Sequence, residues 1–508
     1  MRLGIDFGTT RTRVAAVLKG NYPLITFQAD TGDGTDWYPS LIAARKERLA
    51  FGLEAQAVQY EPGWEVLRSF KRLLCDTPPQ ALWKVGEVEL PAIEWLARFL
   101  GTLRQDLTRR SNLEAGRRER FEAMVGIPAN ANSNQRFLTL EAFRQAGFDV
   151  IGMLNEPSAA GIEYAHRYRT ADLTRQREHV VVYDLGGGTF DVAVICMAGN
   201  QHEVIASEGI ARLGGDDLDV VLLELAQADP ALAAAGRAVP RSHLLDLCRE
   251  AKESIHPNSR KIAVDFGQIR PELPEAMVPV AQFYEKCAPL ILQTIHATET
   301  AMEAGLGSVD GDNPALASVY LVGGSCELPV LARSLRDRFG KRVRRSPYPS
   351  AATAIGLAIA ADQTSGYVLA ERFSRHFGVW REGESGQRVV FDPIFTKETP
   401  VPQPGQAPLV ARRRYQPVHN VGRFRFLECS GLRPEGEPAG DILSWNEVVF
   451  PLDPRVAESP HPEKLSVERA PGVESHLIEE VYQCDAAGVI EVTIANLTAG
   501  YSRTYRIR

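Results

Sequence analysis

Along the chain, apolar and polar positions alternate first as a short strand, Arg2-Leu3-Gly4-Ile5-Asp6-Phe7, which breaks at Gly8-Thr9-Thr10 and returns as Val14-Ala15-Ala16-Val17. The layout recurs 178 residues later: Tyr183-Asp184-Leu185 runs into Gly186-Gly187-Gly188-Thr189, and Val192-Ala193-Val194-Ile195 returns. In both copies an apolar strand ends at Asp, a glycine turn follows, and a second strand begins eight residues after the Asp. Two matched hairpins predict two related lobes. Between and after them, strand patterns alternate with helical ones, for example a helix over Asn155 to His166 with Pro157 near its start. A third glycine turn, Gly323-Gly324-Ser325, separates the buried-strand run Val319 to Val322 from a predicted helix over Pro329 to Phe339.

The pattern changes near residue 363. The last 146 residues hold 13 of the 32 prolines and alternate in short stretches such as Arg423-Phe424-Arg425-Phe426-Leu427, which predicts a separate β-rich domain. The expected division is 1–362 for the two lobes, 363–372 for a linker and 373–508 for the β domain. Within the linker, Tyr367-Val368-Leu369 is more apolar than a simple spacer and is expected to dock.

Composition narrows the class without naming a function. With 508 residues, 44% hydrophobic and 24% charged, the chain is long enough for several cores and is typical of globular proteins. A net charge of -7 argues against a protein built to neutralise nucleic-acid phosphates, so no nucleic-acid partner is expected. The seven cysteines show no paired spacing and read as reduced thiols. No secretory signal or membrane-spanning run is evident, and the expectation is a cytoplasmic protein with no membrane partner.

The hairpins carry the candidate chemistry. Glycine lets Gly186, Gly187 and Gly188 bring backbone N–H donors up to an anion, and Thr9, Thr10 and Thr189 add hydroxyls. Phosphate is the natural ligand, but Asp6, Asp184 and Asp191 beside these turns would repel it unless a cation such as hydrated Mg²⁺ intervened. Metal and nucleotide are therefore expected together. The chain has no G-x-x-x-x-G-K-[ST] element and no strand-turn-helix dinucleotide fingerprint.

IDFGTT at 5–10, NEPSAAGIEYA at 155–165, YDLGGGTFD at 183–191, LGGDDLD at 213–219 and LVGGS at 321–325 together resemble the heat-shock protein 70, DnaK-type, chaperone family. The resemblance covers about residues 1–362. It implies an α/β fold of the actin type, with duplicated ribonuclease-H-like lobes followed by a small β-sandwich-like domain, and it implies ATP hydrolysis to ADP and phosphate. Position by position it places Mg²⁺, with K⁺ as a further ion, at Asp6, Asp184 and Asp191. Catalytic roles fall on Lys71, Glu156, Asp184 and Thr189, with Lys71 placing the attacking water. Nucleotide contacts fall on Gly8, Thr9, Thr10, Gly186, Gly187, Gly188, Gly214, Gly215, Lys252, Gly323, Gly324 and Ser325. Pro128, Arg136 and Glu156 match the family's interdomain switch, although Pro128 also suits an ordinary strand end. From its spacing alone, Lys71 would read as a surface lysine.

On the adenosine side the chain departs from the family. Arg249 stands where Glu is usual, His256 replaces Ser, Glu327 takes the place of an Arg that packs on adenine and Ser350 that of an Asp, and Glu253 belongs to the same altered stretch. In the β domain, Asp392 to Pro402, Gly422 to Phe426 and Asp485 to Val492 resemble family strands. The segment Gln403 to Val421 is shorter than its counterpart, Pro434 to Ser475 looks inserted, and no helical lid is expected after the final hairpin. Arg412-Arg413-Arg414 reads as a solvated charge run, and Phe424, Phe426 and Trp445 as core or staple residues rather than cargo contacts. The resemblance implies partners among unfolded polypeptides or a dedicated protein client, with J-domain and nucleotide-exchange co-chaperones. Two further readings are a nucleotide-gated module for one dedicated partner and a small-molecule kinase on the same fold.

Overall fold

The computed structural model describes residues 1–507 apart from positions 30–31, 79, 117, 169–177, 230–231, 233–235, 237–238, 384–387, 404 and 446. The chain divides into two units, one of Met1–Asn130 with Glu141–Leu369 and the other of Ala131–Leu140 with Ala370–Arg508.

The first unit is built on two sheets that repeat one plan. In the first sheet the order is Asp149–Asn155, Glu122–Ile127, Arg2–Asp6, Arg11–Ala16 and Tyr38–Pro39. The first three strands are parallel and the last two turn back antiparallel. In the second sheet the order is Val343–Arg345, Leu316–Val322, His179–Leu185, Phe190–Ala198, Gln201–Ile210 and Val368–Ala370. Again three parallel strands lead into an antiparallel hairpin. The echo in the sequence is thus a duplicated α/β lobe. Its central strands are buried on both faces, which explains why they read as nearly continuous apolar runs.

Helices Glu156–Tyr168 and Ala352–Ala361 pack against each other between the sheets. Their backbones approach so closely that a Cβ on Gly356 would stand 1.8 Å from the carbonyl oxygen of Ala159, a contact only glycine permits. The helix expected at Pro329–Phe339 has those bounds. The apolar part of the 363–372 stretch is ordered: Val368–Ala370 is the edge strand of the second sheet, Val368 N–H donates to the Asn200 carbonyl at 2.9 Å, and Tyr367 stacks on His202 with ring centres 5.5 Å apart. Among the described residues no helix is long and apolar enough to cross a membrane, and the seven cysteines are free thiols.

The second unit has two antiparallel sheets. One runs Arg388–Phe395, His376–Gly383, Val421–Leu432, Pro438–Ser444, with Val448–Pro451 also paired to Val421–Leu432. The other runs Leu409–Tyr415, Ile478–Cys484, Ile490–Asn496, Tyr501–Arg506. Their inner faces share one core in which Phe377, Val379, Phe426 and Phe450 meet Ile478, Tyr482, Val492 and Ile494. Phe424 belongs to that core and Trp445 packs on it, as expected. The arginine run is different: it is paired rather than merely solvated. Strand alternation sends Arg412 and Arg414 to one face, where both reach Glu479 on the neighbouring strand, and Arg413 to the other, where it grips both oxygens of Asp392 at 2.9 Å.

Candidate functional site

The two glycine hairpins of the first unit meet. A Cβ on Gly187 would stand 2.9 Å from the Thr10 side chain, and one on Gly188 would stand 2.6 Å from that of Thr9. Side chains there would force the turns apart. The backbone N–H groups of Thr9, Thr10, Gly187 and Gly188 have no backbone partner among the described residues. Bracing comes from behind: Ser40 Oγ donates to the Gly8 carbonyl at 2.8 Å, and Ser325 Oγ donates to the Gly186 carbonyl at 2.8 Å. Gly215 N–H and Asp216 N–H, at the start of helix Gly215–Ala226, donate to the Gly186 and Gly187 carbonyls at 3.0 and 2.8 Å. Gly215 and Asp216 therefore hold the second hairpin in place, and Gly214 packs on it so closely that a Cβ there would stand 2.5 Å from the Gly187 carbonyl oxygen.

A cleft of about 100 Å³ opens at this junction. It is lined by Asp6, Gly8, Thr9, Thr10, Lys71, Glu156, Asp184, Gly186, Gly187 and Thr189, and by Gly215, Lys252, Gly323, Gly324 and Ser325. Gly188, Gly214 and Asp191 lie behind that wall, with Asp191 accepting from Asn130 N–H at 3.4 Å. Ser69 adopts a left-handed turn and Phe70 packs with Phe7 and Phe99, which carries Lys71 inward until its ammonium bonds the Glu156 carboxylate.

The floor of the cleft holds more negative than positive charge. Burial, reinforced by Glu156, lifts the Asp6 carboxyl to about 7 despite the opposing pull of Lys71 and Arg13. Asp191 is pushed up to about 7 by burial and then by Glu156. Asp184 moves the same way, through burial first and then through Glu156, Asp6 and Asp191. Burial disfavours the Lys71 charge, yet Glu156 and Asp6 outweigh it and raise its pKa. Among the described residues no three His, Cys, Asp or Glu side chains converge tightly enough to cage a bare ion. The donor set is all hard oxygen, so it fits a cation of the Mg²⁺ kind held through its own waters and a ligand's oxygens.

Beside this cleft a second cavity of about 230 Å³ is lined by Arg11, Arg13, Lys252, Glu253, Glu327 and Ser350, among others. Lys252 is committed at its back, ion-paired with Asp219 at 2.6 Å and donating to the Gly215 carbonyl at 2.7 Å. Arg249 ties Asp216 at 3.0 Å and Asp219 at 3.3 Å. Ser69 reaches the same Asp216 at 2.6 Å from the opposite lobe, and Arg11 bonds Glu253 at 2.7 Å across the lobes. His256 lines neither cavity; its N–H donates to Ser259 Oγ.

Sequence reasoning missed Arg11 and Arg13, whose alternation with Thr12 looks like an ordinary strand face, and Asp216, which reads as an acidic first turn of a helix. Of the three switch residues, Pro128 and Glu156 belong to the first unit and Arg136 to the second, where Arg136 lies against the Gly488 turn. A roomier hollow of about 590 Å³, near Tyr22, His166 and Tyr348, has its acid Glu163 already bonded to Tyr320 and Arg167.

A family model described as Hsp70 protein matches residues 86–373, more than half of the chain. A Chaperone protein HscA homolog from Tolumonas auensis is 30% identical over 383 residues, covering 71% of this chain and 57% of the relative. A Chaperone protein HscA homolog from Bordetella petrii is 30% identical over 393 residues, covering 72% and 58%. Chaperone protein HscA from Cronobacter sakazakii is 31% identical over 376 residues, covering 71% and 57%. The matched part spans less than two thirds of these relatives' own length.

Proposed function

Because the chain belongs to the Hsp70 family, we propose that its first unit binds and hydrolyses ATP and that the nucleotide state controls protein binding by the β-rich second unit. The observation that carries this reading is the convergence of two glycine hairpins, 178 residues apart in sequence, on one cleft floored by Lys71 and acidic side chains.

In this reading Thr9, Thr10, Gly187 and Gly188 offer backbone donors to the phosphates, with the Thr9, Thr10 and Thr189 hydroxyls beside them. Asp6, Asp184 and Asp191 would hold hydrated Mg²⁺, and K⁺ is a further candidate ion. When bound, Mg²⁺ offsets phosphate charge and polarises the bond to be broken. Lys71, fixed by Glu156, orients the attacking water and meets charge developing on the γ-phosphate. Glu156 and Asp184 face the same water from the acidic side. Lys252, Gly214, Gly215 and the turn Gly323-Gly324-Ser325 frame the nucleoside end. Pro128, Arg136 and Glu156 are proposed to relay the γ-phosphate state.

The proposed partners are unfolded polypeptides or a dedicated client, with J-domain and nucleotide-exchange co-chaperones, in the cytoplasm. ATP turnover by the whole chain, with and without an unfolded polypeptide, tests this. Turnover is expected to change with client, and client affinity to change with ATP. Turnover blind to every client would reject the coupling. The altered base side, where Glu253 and Glu327 line the cavity, favours a second reading, a nucleotide-gated module for one dedicated partner. A single stoichiometric partner captured in ATP but not ADP would select it.

A further inference from the structure

Building on the nucleotide reading of the cleft, we propose that the adjoining cavity is a guanine-accepting base site, so that guanine nucleotides bind at least as tightly as adenine nucleotides. The cavity continues from the phosphate end, sharing Arg11, Arg13, Lys252 and Ser350 with it. Its uncommitted charges are divided between two sides: Arg13 comes from the first hairpin and Glu327 from the opposite lobe, while Lys252 is paired with Asp219 and Arg11 with Glu253.

Guanine is segregated in the same sense. O6 and N7 are adjacent acceptors on one edge, and N1–H and the N2 amino group are adjacent donors on another. A guanidinium matches the first edge and a carboxylate the second, each through two parallel hydrogen bonds. Adenine interleaves its amino donor with the N1 and N7 acceptors, so it can use either group only singly.

Two side chains are placed to read the ring. Arg13 is only 8% exposed, its Nε has no hydrogen-bond partner among the described residues, and Asp36 stands 3.6 Å from its terminal nitrogen, beyond a hydrogen bond. A buried donor left unpaired is costly, and a ligand acceptor relieves that cost. Glu327 is exposed on the cavity wall with no hydrogen-bond partner among the described residues, and its charge acts on Arg13. Arg11 is already engaged, bonded to Glu253 at 2.7 Å and seated over Trp37 at 4.8 Å.

Calorimetric titration of the full chain with the Mg²⁺ complexes of ADP, GDP and IDP tests this. IDP keeps O6 and N7 but lacks the N2 amino group. GDP is expected to match or exceed ADP, and IDP to bind roughly tenfold more weakly than GDP. Glu327→Gln is expected to lower the ratio of GDP to ADP affinity by roughly tenfold. ADP binding tenfold tighter than GDP, or a ratio unmoved by Glu327→Gln, overturns the guanine site and leaves the nucleotide reading standing. Binding of none of the three overturns both.

Discussion

In the first unit Lys71 is set among Asp6, Glu156, Asp184 and Asp191, whereas in the second Arg381 and Arg413 close on Asp392 and Glu480. The first cluster is buried and the second is anchored on the buried Glu480, but their balance differs. The Asp6, Asp184 and Asp191 carboxyls of the first are lifted toward neutrality. In the second, burial opposes the Asp392 charge, yet hydrogen bonds from Arg413 and Arg381 outweigh it and hold the pKa below its ordinary value. A cluster that neutralises itself is a structural tie between sheets. One with surplus negative charge has room for a cation, and that difference separates site from scaffold more cleanly than burial does.

The comparison can be broken at its strongest points first. Lys71→Ala is expected to lower ATP turnover about 10²–10³-fold if Lys71 meets transition-state charge, and unchanged hydrolysis would remove it from the mechanism. Arg381→Met is expected to destabilise the second unit by about 3 kcal/mol, because Glu480, fully buried, loses its cationic partner and keeps only hydroxyl donors such as Tyr482. Chemical denaturation checks this, and a loss below about 1 kcal/mol would contradict the self-neutralised picture.

Acidity should move the two clusters in opposite directions. For Asp6 and Asp191 the folded carboxyl, at about 7, holds its proton more tightly than an ordinary one at 3.8. The folded state then binds more protons between those values, so the nucleotide-free first unit loses stability as pH rises through that window and stays weaker above it. Asp392 is the reverse: its contribution is present above 3.8 and is lost as pH falls through its lower folded value. Scanning calorimetry of the nucleotide-free chain should show the first unit melting about 3–5 °C lower at pH 7.5 than at pH 5. A melting temperature that rises over that interval would contradict the assignment. The smallest effect belongs to Arg414→Ala, expected to cost about 0.5 kcal/mol or less, since that side chain is 61% exposed.

What could be read from the sequence follows from how local each cause is. The lobes were legible because strand, Asp and glycine turn sit within a dozen residues, and the repeat states the duplication outright. Lys71 was legible only by resemblance: nothing beside it announces that Phe70 will pack on Phe7 and Phe99 and draw it inward. Arg412 to Arg414 looked solvated because their partners, Asp392 and Glu479, lie 21 and 65 residues from Arg413 and Arg414 and are brought close only by sheet formation. Tyr367 to Leu369 announced docking by their apolarity, but the partner strand Gln201–Ile210 is far away in sequence. The cavity beside the cleft was the least legible part, since Arg13 and Glu327 line one cavity only in the folded first unit.

The central claim is that acidic turns from two lobes close on one metal-bound polyphosphate. Calorimetric titration of the full chain with ATP, GTP and inorganic tripolyphosphate, each with Mg²⁺ and with the metal chelated, tests it most directly. Saturable binding that needs Mg²⁺ and is lost in Asp6→Asn and Asp184→Asn is the expected result. Absence of Mg²⁺-dependent binding to all three, or binding indifferent to both substitutions, would contradict it.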